Sequence, residues 1–339
     1  MTEFRQHPES LKLLQTMREA AGKSRTLNYA EFIRHALYDS AHGYYHRDIQ
    51  RVGRSRETDF YTSQSLGPLF GELVTSAVET LLNNFHGKEL DLKTWTLVEL
   101  GYESDSGWWS NRPCPFKSHQ QVGPTDELKL SGKCVVFSNE LFDAQPFHRV
   151  VFMQKQWYEL GVDVSQEIAR EVILPELSPE VSAYKNRLPL DAREGYTIDL
   201  PLQTISLLRS IICQTWTGLF LALDYGKTWK SLAYEIPQGT GRAYTKHRQS
   251  SNLLDQPGRQ DITCHICWDW LEEGLKEADF QEIRLESQEA FFVTKATSCI
   301  EQIITARPGE FDPQRQNLMH LIHPSTMGQK FQVLSAFRD

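Results

Sequence analysis

Apolar positions along this chain fall into alternating helical and strand-like periods. Leu11, Leu14 and Met17 share one helical face, and Asn28 with Glu31 forms a capping-box pattern ahead of Phe32, Ile33 and Leu37. Residues 1–58 therefore read as an N-terminal helical extension that ends in a polar stretch. Pro68 is placed to open a helix, and Leu69, Phe70, Leu73, Val74, Ala77 and Val78 follow with helical spacing.

Three short apolar runs have the length and boundaries of buried strands: Trp95 to Leu100, Cys134 to Ser138, and Leu219 to Asp224. Strands that are apolar on both faces belong to parallel sheets, whose ligands bind beyond the carboxyl ends of the strands. Val150 to Val164 alternates around Gln154-Lys155-Gln156 as a hairpin does, and Pro201 to Cys213 reads as a helix opened by proline. Trp268 to Ala278 and Phe291 to Ala306 are helical in period, while Glu282 to Glu286 and Lys330 to Leu334 are strand-like. The pattern predicts one elaborated α/β domain over residues 59–339, with a hairpin insertion near 150–164 and a helical one near 178–213.

Composition narrows the function classes. With 339 residues, 40% apolar and 24% charged, the chain has material for a full core. The net charge of -8 is spread along the sequence, so no basic stripe offers the phosphate neutralisation that nucleic acid demands. No apolar run approaches the roughly 20 residues of a spanning helix, and MTEFRQHPES has neither the basic start nor the apolar core of a secretory leader. The expectation is a cytoplasmic protein without membrane insertion. Its six cysteines lack the spacing of a disulfide scaffold and are expected to be reduced.

Candidate chemistry gathers at the predicted strand ends. Trp95-Thr-Leu-Val-Glu-Leu-Gly101 delivers an acid and then a glycine into a strand-to-helix turn, as nucleotide sites do. Ser138-Asn139-Glu140-Leu-Phe-Asp143-Ala144 crowds an amide and two carboxylates at the end of an apolar run, where unpaired charge is expensive. Such crowding serves either a ligand or local structure, with Asn139 as a helix cap and Glu140 and Asp143 in ion pairs. Thr62 or Ser63 is a candidate cap for the helix that follows. Gly239-Thr-Gly-Arg242-Ala-Tyr-Thr-Lys-His-Arg248 is either an anion site or a solvated loop. Cys264-His265-Ile-Cys267 has zinc-like spacing, but no second pair follows, so no metal is expected.

Taken in order, several segments resemble the MidA-like family, which includes mitochondrial methyltransferases associated with assembly of respiratory complex I. They are Gly43-Tyr-Tyr45, Asp59-Phe-Tyr-Thr-Ser63, Leu69-Phe-Gly-Glu72, Val98-Glu-Leu-Gly101, Asn139-Glu-Leu-Phe-Asp-Ala144, Asp224-Tyr-Gly226, Gly241-Arg-Ala-Tyr244 and Gln260-Asp-Ile-Thr263. The resemblance implies the Rossmann-like sheet of class I methyltransferases with helices on both faces. It also implies S-adenosylmethionine as methyl donor and a protein substrate, with arginine the acceptor known for the mitochondrial branch. Carried over by position, Glu99 and Gly101 lie beneath the cofactor, with Tyr61, Thr62, Ser63 and Gly71 beside it. Asn139, Glu140 and Asp143 then line the pocket as the catalytic candidates. Glu140 is suited to grip a guanidinium in a bidentate fork, with Asp143 second and Asn139 bonding the cofactor's amine or the substrate.

The chain also departs from the family pattern. A Gly-x-Gly-x-Gly turn is expected after the first strand, but the sequence reads Gly101-Tyr-Glu-Ser-Asp-Ser-Gly107, so Glu103 and Asp105 replace two glycines in an ungapped alignment. The interval from Gly101 to Asn139 is short for a helix, a strand with a ribose-binding acid and a second helix. Trp108, Trp109, Pro113 and Pro115 are poor helix material, and the indoles either fill the cofactor's space or pack on the surface. Two functions follow: a protein methyltransferase, or a cofactor-free descendant serving as an assembly or scaffold factor. A pocket for another small metabolite is the third.

Overall fold

The computed structural model describes residues 6–47, 67–102, 107–109, 113–124, 126–306 and 312–339. The chain divides into two compact units, one comprising Met1–Tyr61, Phe142–Leu207 and Gly226–Leu271, the other Thr62–Leu141, Leu208–Tyr225 and Glu272–Asp339. The N-terminal segment thus shares a unit with the hairpin region, and the strand-end motifs at Glu99 and Asn139 fall in the other.

The second unit is built on a six-stranded sheet. Its strands are β1 (Thr96–Leu100), β2 (Ser118–Val122), β3 (Gly132–Asn139), β4 (Trp216–Asp224), β5 (Gln281–Ser287) and β6 (Gln332–Arg338), in the spatial order β5-β6-β4-β3-β1-β2. The four strands from β4 to β2 are parallel, and β6 runs antiparallel to both β4 and β5. The three runs expected as buried strands form its centre. Leu97, Val98, Val135, Val136, Leu219 and Phe220 are all within 1% of complete burial, as strands covered on both faces require.

Helix α1 (Pro68–His86) opens on Gly67, which makes no side-chain cap. The caps expected from Thr62 and Ser63 lie outside the described residues. Leu69, Phe70, Leu73, Val74, Ala77 and Val78 are buried along it, as their spacing predicts. The C-terminal helical run is split in two, Gln288–Lys295 and Thr297–Thr305, because Ala296 leaves helical geometry at φ -114, ψ 28.

The largest sheet of the first unit is antiparallel. His148–Met153 and Gln156–Asp163 form the expected hairpin, closed by Gln154 and Lys155 at φ 50 and 63, the two left-handed residues of a tight turn that follows the right-handed strand twist. Because neighbouring strand residues face opposite ways, Val151 joins a cluster with Leu13, Met17, Phe32 and Ile33, whereas Val150 joins one with Ile198, Leu200 and Trp270. Leu11, expected on the buried face of the first helix, is only half-buried, and Leu13 takes the inward place. The capping box at Asn28 and Glu31 is present in both directions.

A buried charge cluster ties this unit together. Asp199 Oδ1 accepts from Arg149 Nε at 2.7 Å, and its Oδ2 accepts from the backbone N–H groups of Thr240 (2.6 Å) and Gly241 (2.7 Å). Arg149 also lies over the Tyr29 ring, whose hydroxyl donates to Glu171 at 2.6 Å. The stretch from Gly239 to Arg248 has a structural role within the unit, and its turn at Lys246 to Arg248 is exposed. Its first part is the donor set for Asp199, and the rest pairs Arg242–Thr245 with Arg248–Ser250 across Lys246 and His247.

Removing this acid strands a buried guanidinium and two N–H groups. Asp199→Ala is expected to lower unfolding stability by about 3–5 kcal/mol, read as a fall in the denaturant midpoint; an unchanged midpoint contradicts the clamp.

Candidate functional site

At the carboxyl ends of β1 and β3 the sheet collects four of the expected residues. Glu99 sits one place before the end of β1 and is 1% exposed; its register partners are Phe137 on β3 and Gln121 on β2. Gly101 follows at φ +81, and a Cβ there would lie 3.0 Å from the Leu141 side chain, so the two strand-end turns meet. Asn139 closes β3. It caps no helix; its Nδ2 donates to Glu140 Oε1 at 3.1 Å, which fixes the amide's orientation and turns Oδ1 away.

Asn139 Oδ1 and the neighbouring Ser138 Oγ are buried without a hydrogen-bond partner among the described residues. Each such group costs free energy that native structures seldom leave uncompensated. Glu140 adds strain, with φ 52 in the left-handed region, while its N–H donates to Leu223 O at 2.9 Å and so carries the β3–β4 ladder one step further. Two orphaned oxygens beside a strained carboxylate make the end of β3 the candidate ligand site.

The end of β1 is arranged differently. Glu99 Oε2 accepts from Gln121 Nε2 at 3.1 Å and pairs with His119 Nε2 at 2.8 Å. His119 Nδ1 in turn accepts from Trp109 Nε1 at 3.1 Å. The Gly101 and Tyr102 N–H groups both point to Val122 O, at 3.0 and 3.1 Å. None of His119, Gln121 and Trp109 belonged to the expected site. The signal that could have found them is the alternation of polar side chains in Ser118-His-Gln-Gln-Val122, which places His119 and Gln121 on the face of Glu99.

Trp108 is not a surface residue. It is 1% exposed and meets Phe70 and Phe137 edge-on, at centroid distances of 5.6 and 5.1 Å, and stacks on His119 at 5.8 Å. A Cβ on Gly71 would lie 2.8 Å from Trp108 Cβ, so Gly71 is present because the indole is. Gly71, one of the residues expected beside the cofactor, thus lies against Trp108.

Tyr61, Thr62, Ser63, Glu103 and Asp105 lie outside the described residues. Asp143 belongs to the first unit, 3% exposed, with its backbone carbonyl accepting from Cys264 N at 2.9 Å. Cys264 and Cys267 are buried free thiols, and no group of three metal-ligating side chains occurs among the described residues. Burial first, then Lys227 and Arg242, push the pKa of His265 down to about 4, which makes it a neutral core histidine at pH 7.

Residues 110–284, just over half of the chain, match the model of a family described as "Putative S-adenosyl-L-methionine-dependent methyltransferase". The chain belongs to this family. The matched region holds Asn139, Glu140 and Asp143 and begins after Glu99 and Gly101. A solved structure from Burkholderia thailandensis, bound to S-adenosyl-homocysteine, shares the family fold with this chain at a TM-score of 0.82 and 21% identity, covering 98% of this chain and 94% of that one. A native structure from the same organism aligns at 0.79 and 20% identity over the same shares. Among curated proteins, the Drosophila melanogaster mitochondrial protein arginine methyltransferase NDUFAF7 homolog is 23% identical over 91% of this chain and 80% of its own length. The Xenopus laevis mitochondrial protein arginine methyltransferase NDUFAF7 is 20% identical over the same shares. The class I methyltransferase fold that the resemblance implied is thus that of this family. Among the described residues no helix is long and apolar enough to cross a membrane.

The contact between Gly71 and Trp108 is testable as a pair. Gly71→Ala is expected to cost about 1–3 kcal/mol by overpacking and Trp108→Ala about 3–5 kcal/mol. The double variant should cost clearly less than the sum, because the small residue at 108 makes room for the new methyl. Strict additivity in urea unfolding excludes the contact.

Proposed function

We propose that the chain is an S-adenosylmethionine-dependent methyltransferase whose acceptor is a protein side chain, with arginine favoured by the names of its relatives. The observation that carries this reading is the end of β3, where Asn139 Oδ1 and Ser138 Oγ are buried without donors beside the strained Glu140. Family membership supports it.

The residues present fit the cofactor at that end. Asn139 Oδ1 is an acceptor matched to an ammonium donor, Gly101 brings its turn against Leu141 without a side chain of its own, and Glu99 adds a carboxylate suited to a cationic ligand. When bound, S-adenosylmethionine supplies an electrophilic methyl group on a sulfonium centre. The work left to the protein is orientation and charge. Glu140, held by Asn139 Nδ2, would grip two nitrogens of a guanidinium in a charge-assisted fork and leave the third to take the methyl. The N–C bond would form as the sulfonium S–C bond breaks, with release of S-adenosyl-homocysteine, and the nitrogen's proton would pass to solvent. Asp143, Tyr61, Thr62 and Ser63 enter the proposal through the family resemblance alone.

A second reading has its own observations. Gly101 and Tyr102 spend their N–H groups on Val122 O, and Trp108 fills the hollow over Gly71. These favour a cofactor-free protein that keeps the family fold as an assembly or scaffold factor.

Calorimetric titration of ligand-free protein with S-adenosylmethionine and S-adenosyl-homocysteine separates the two. Micromolar binding, about -8 kcal/mol, is expected, and absence of heat with folded protein turns the assignment to the cofactor-free reading. Glu140→Gln should keep that affinity and lose methyl transfer to arginine-containing peptides by at least about a hundredfold, since one charged interaction in a transition state is worth that much; unchanged turnover removes Glu140 from the chemistry.

A further inference from the structure

Glu99 is a buried acid whose partners come from the neighbouring strand. Oε2 receives the amide of Gln121, a pure donor at that nitrogen, so Oε2 acts there as an acceptor. His119 Nε2 approaches the same oxygen at 2.8 Å, with a side chain only 11% exposed. The other ring nitrogen decides the tautomer. Trp109 Nε1 can only donate, and it points at His119 Nδ1 from 3.1 Å, so Nδ1 carries the lone pair and Nε2 the proton. Trp108 lies over the imidazole at 5.8 Å with an interplanar angle of 18°, and Trp109 stands edge-on to it at 88°. The ring is therefore clamped in position and in tautomer by two consecutive indoles.

We infer that His119 is a positioning residue for Glu99: fixed by Trp108 and Trp109 as the Nε2–H tautomer, it orients the Glu99 carboxylate for the cationic end of the cofactor. The inference rests on the proposed methyltransferase reading. In this chain Trp109, His119 and Gln121 order the acid from the side. Gly101 and Tyr102 turn instead to Val122. A carboxylate held by two donors through one oxygen has its plane defined before any ligand arrives, which lowers the ordering cost of binding.

The test uses the full chain and two independent readouts. Long-range proton–nitrogen correlation spectra of histidine side chains in ligand-free protein should show His119, assigned by the signals lost in His119→Gln, with the proton on Nε2. Trp109→Phe should move it to a mixture of tautomers. Calorimetry with S-adenosylmethionine should show about tenfold weaker binding for His119→Phe, which keeps an aromatic ring under Trp108 but donates nothing, and affinity within about threefold of the parent for His119→Gln, which keeps a donor toward Glu99. Trp109→Phe should weaken binding by at least threefold, and it carries the comparison if His119→Phe fails to fold. A wild-type Nδ1–H tautomer overturns the inference. So do unchanged affinities in His119→Phe and Trp109→Phe when the parent binds. A folded parent that binds no cofactor overturns the methyltransferase reading itself, and this inference with it, so the two failures are told apart.

Discussion

Parallel pairing of β1 with β2 is the constraint on which the second unit depends. Two parallel neighbours cannot be joined by a tight turn; the chain must cross back over the sheet to its starting end, and a helix is the usual vehicle. Here residues 101–117 make that return. Among the described residues of this stretch there is no helix, and the sheet face that a helix would cover is covered by Trp108, against Phe70, Phe137 and His119. Everything unusual about the end of β1 follows from that shortcut. The indole needs Gly71 to have no side chain, the neighbouring Trp109 supplies a donor to β2, and β2 spends its polar residues on Glu99.

The first unit answers a different problem, that of holding antiparallel strands, two N-terminal helices and a long glycine-containing segment around one another. Its solution is electrostatic as well as apolar. Asp199 gathers a guanidinium and two backbone N–H groups, so that each donor's desolvation is met by a charged acceptor. The price of such a cluster is that it tolerates no partial loss, since a buried ion without its partner costs more than the pair gains. Tyr29 and Glu171 extend the cluster to the start of the second helix and to the strand Arg170–Ile173.

The contrast between what the sequence displays and what it conceals has a physical cause. Strands buried on both faces are mostly apolar, so Leu97–Leu100, despite Glu99, and Leu219–Leu223 announce themselves, and the Asn28–Glu31 capping box is local and legible. β2 is hidden because an edge strand with two half-buried polar side chains has no apolar run to show. The role of Thr240 and Gly241 is equally hidden, since their acceptor lies 41 and 42 residues away. Trp108 reads as a helix breaker's neighbour in sequence and is a core residue in space, because its partners Phe70 and Phe137 come from other elements. At the candidate site, the motif through Glu140 is legible as the polar end of an apolar run, while the network around Glu99 depends on a strand that periodicity alone does not reveal.

The two strand ends pull the functional reading in opposite directions, and energetics decides between them. At β1 the Glu99 carboxylate and the Gly101 and Tyr102 N–H groups are satisfied from within the unit. At β3 two oxygens are not. Buried, unbonded Asn139 Oδ1 and Ser138 Oγ each cost about 1–3 kcal/mol, and Glu140 at φ 52 adds about 1–2 kcal/mol more. A glycine at 140 and an apolar residue at 139 would remove most of that cost without disturbing the β3–β4 ladder, whose next bond needs only the Glu140 N–H. A protein selected for a scaffold alone has no reason to carry these groups together at one strand end. A ligand that donates to Asn139 and a cation that meets Glu140 turn each cost into a binding contribution, and that asymmetry is the physical ground for preferring the methyltransferase reading.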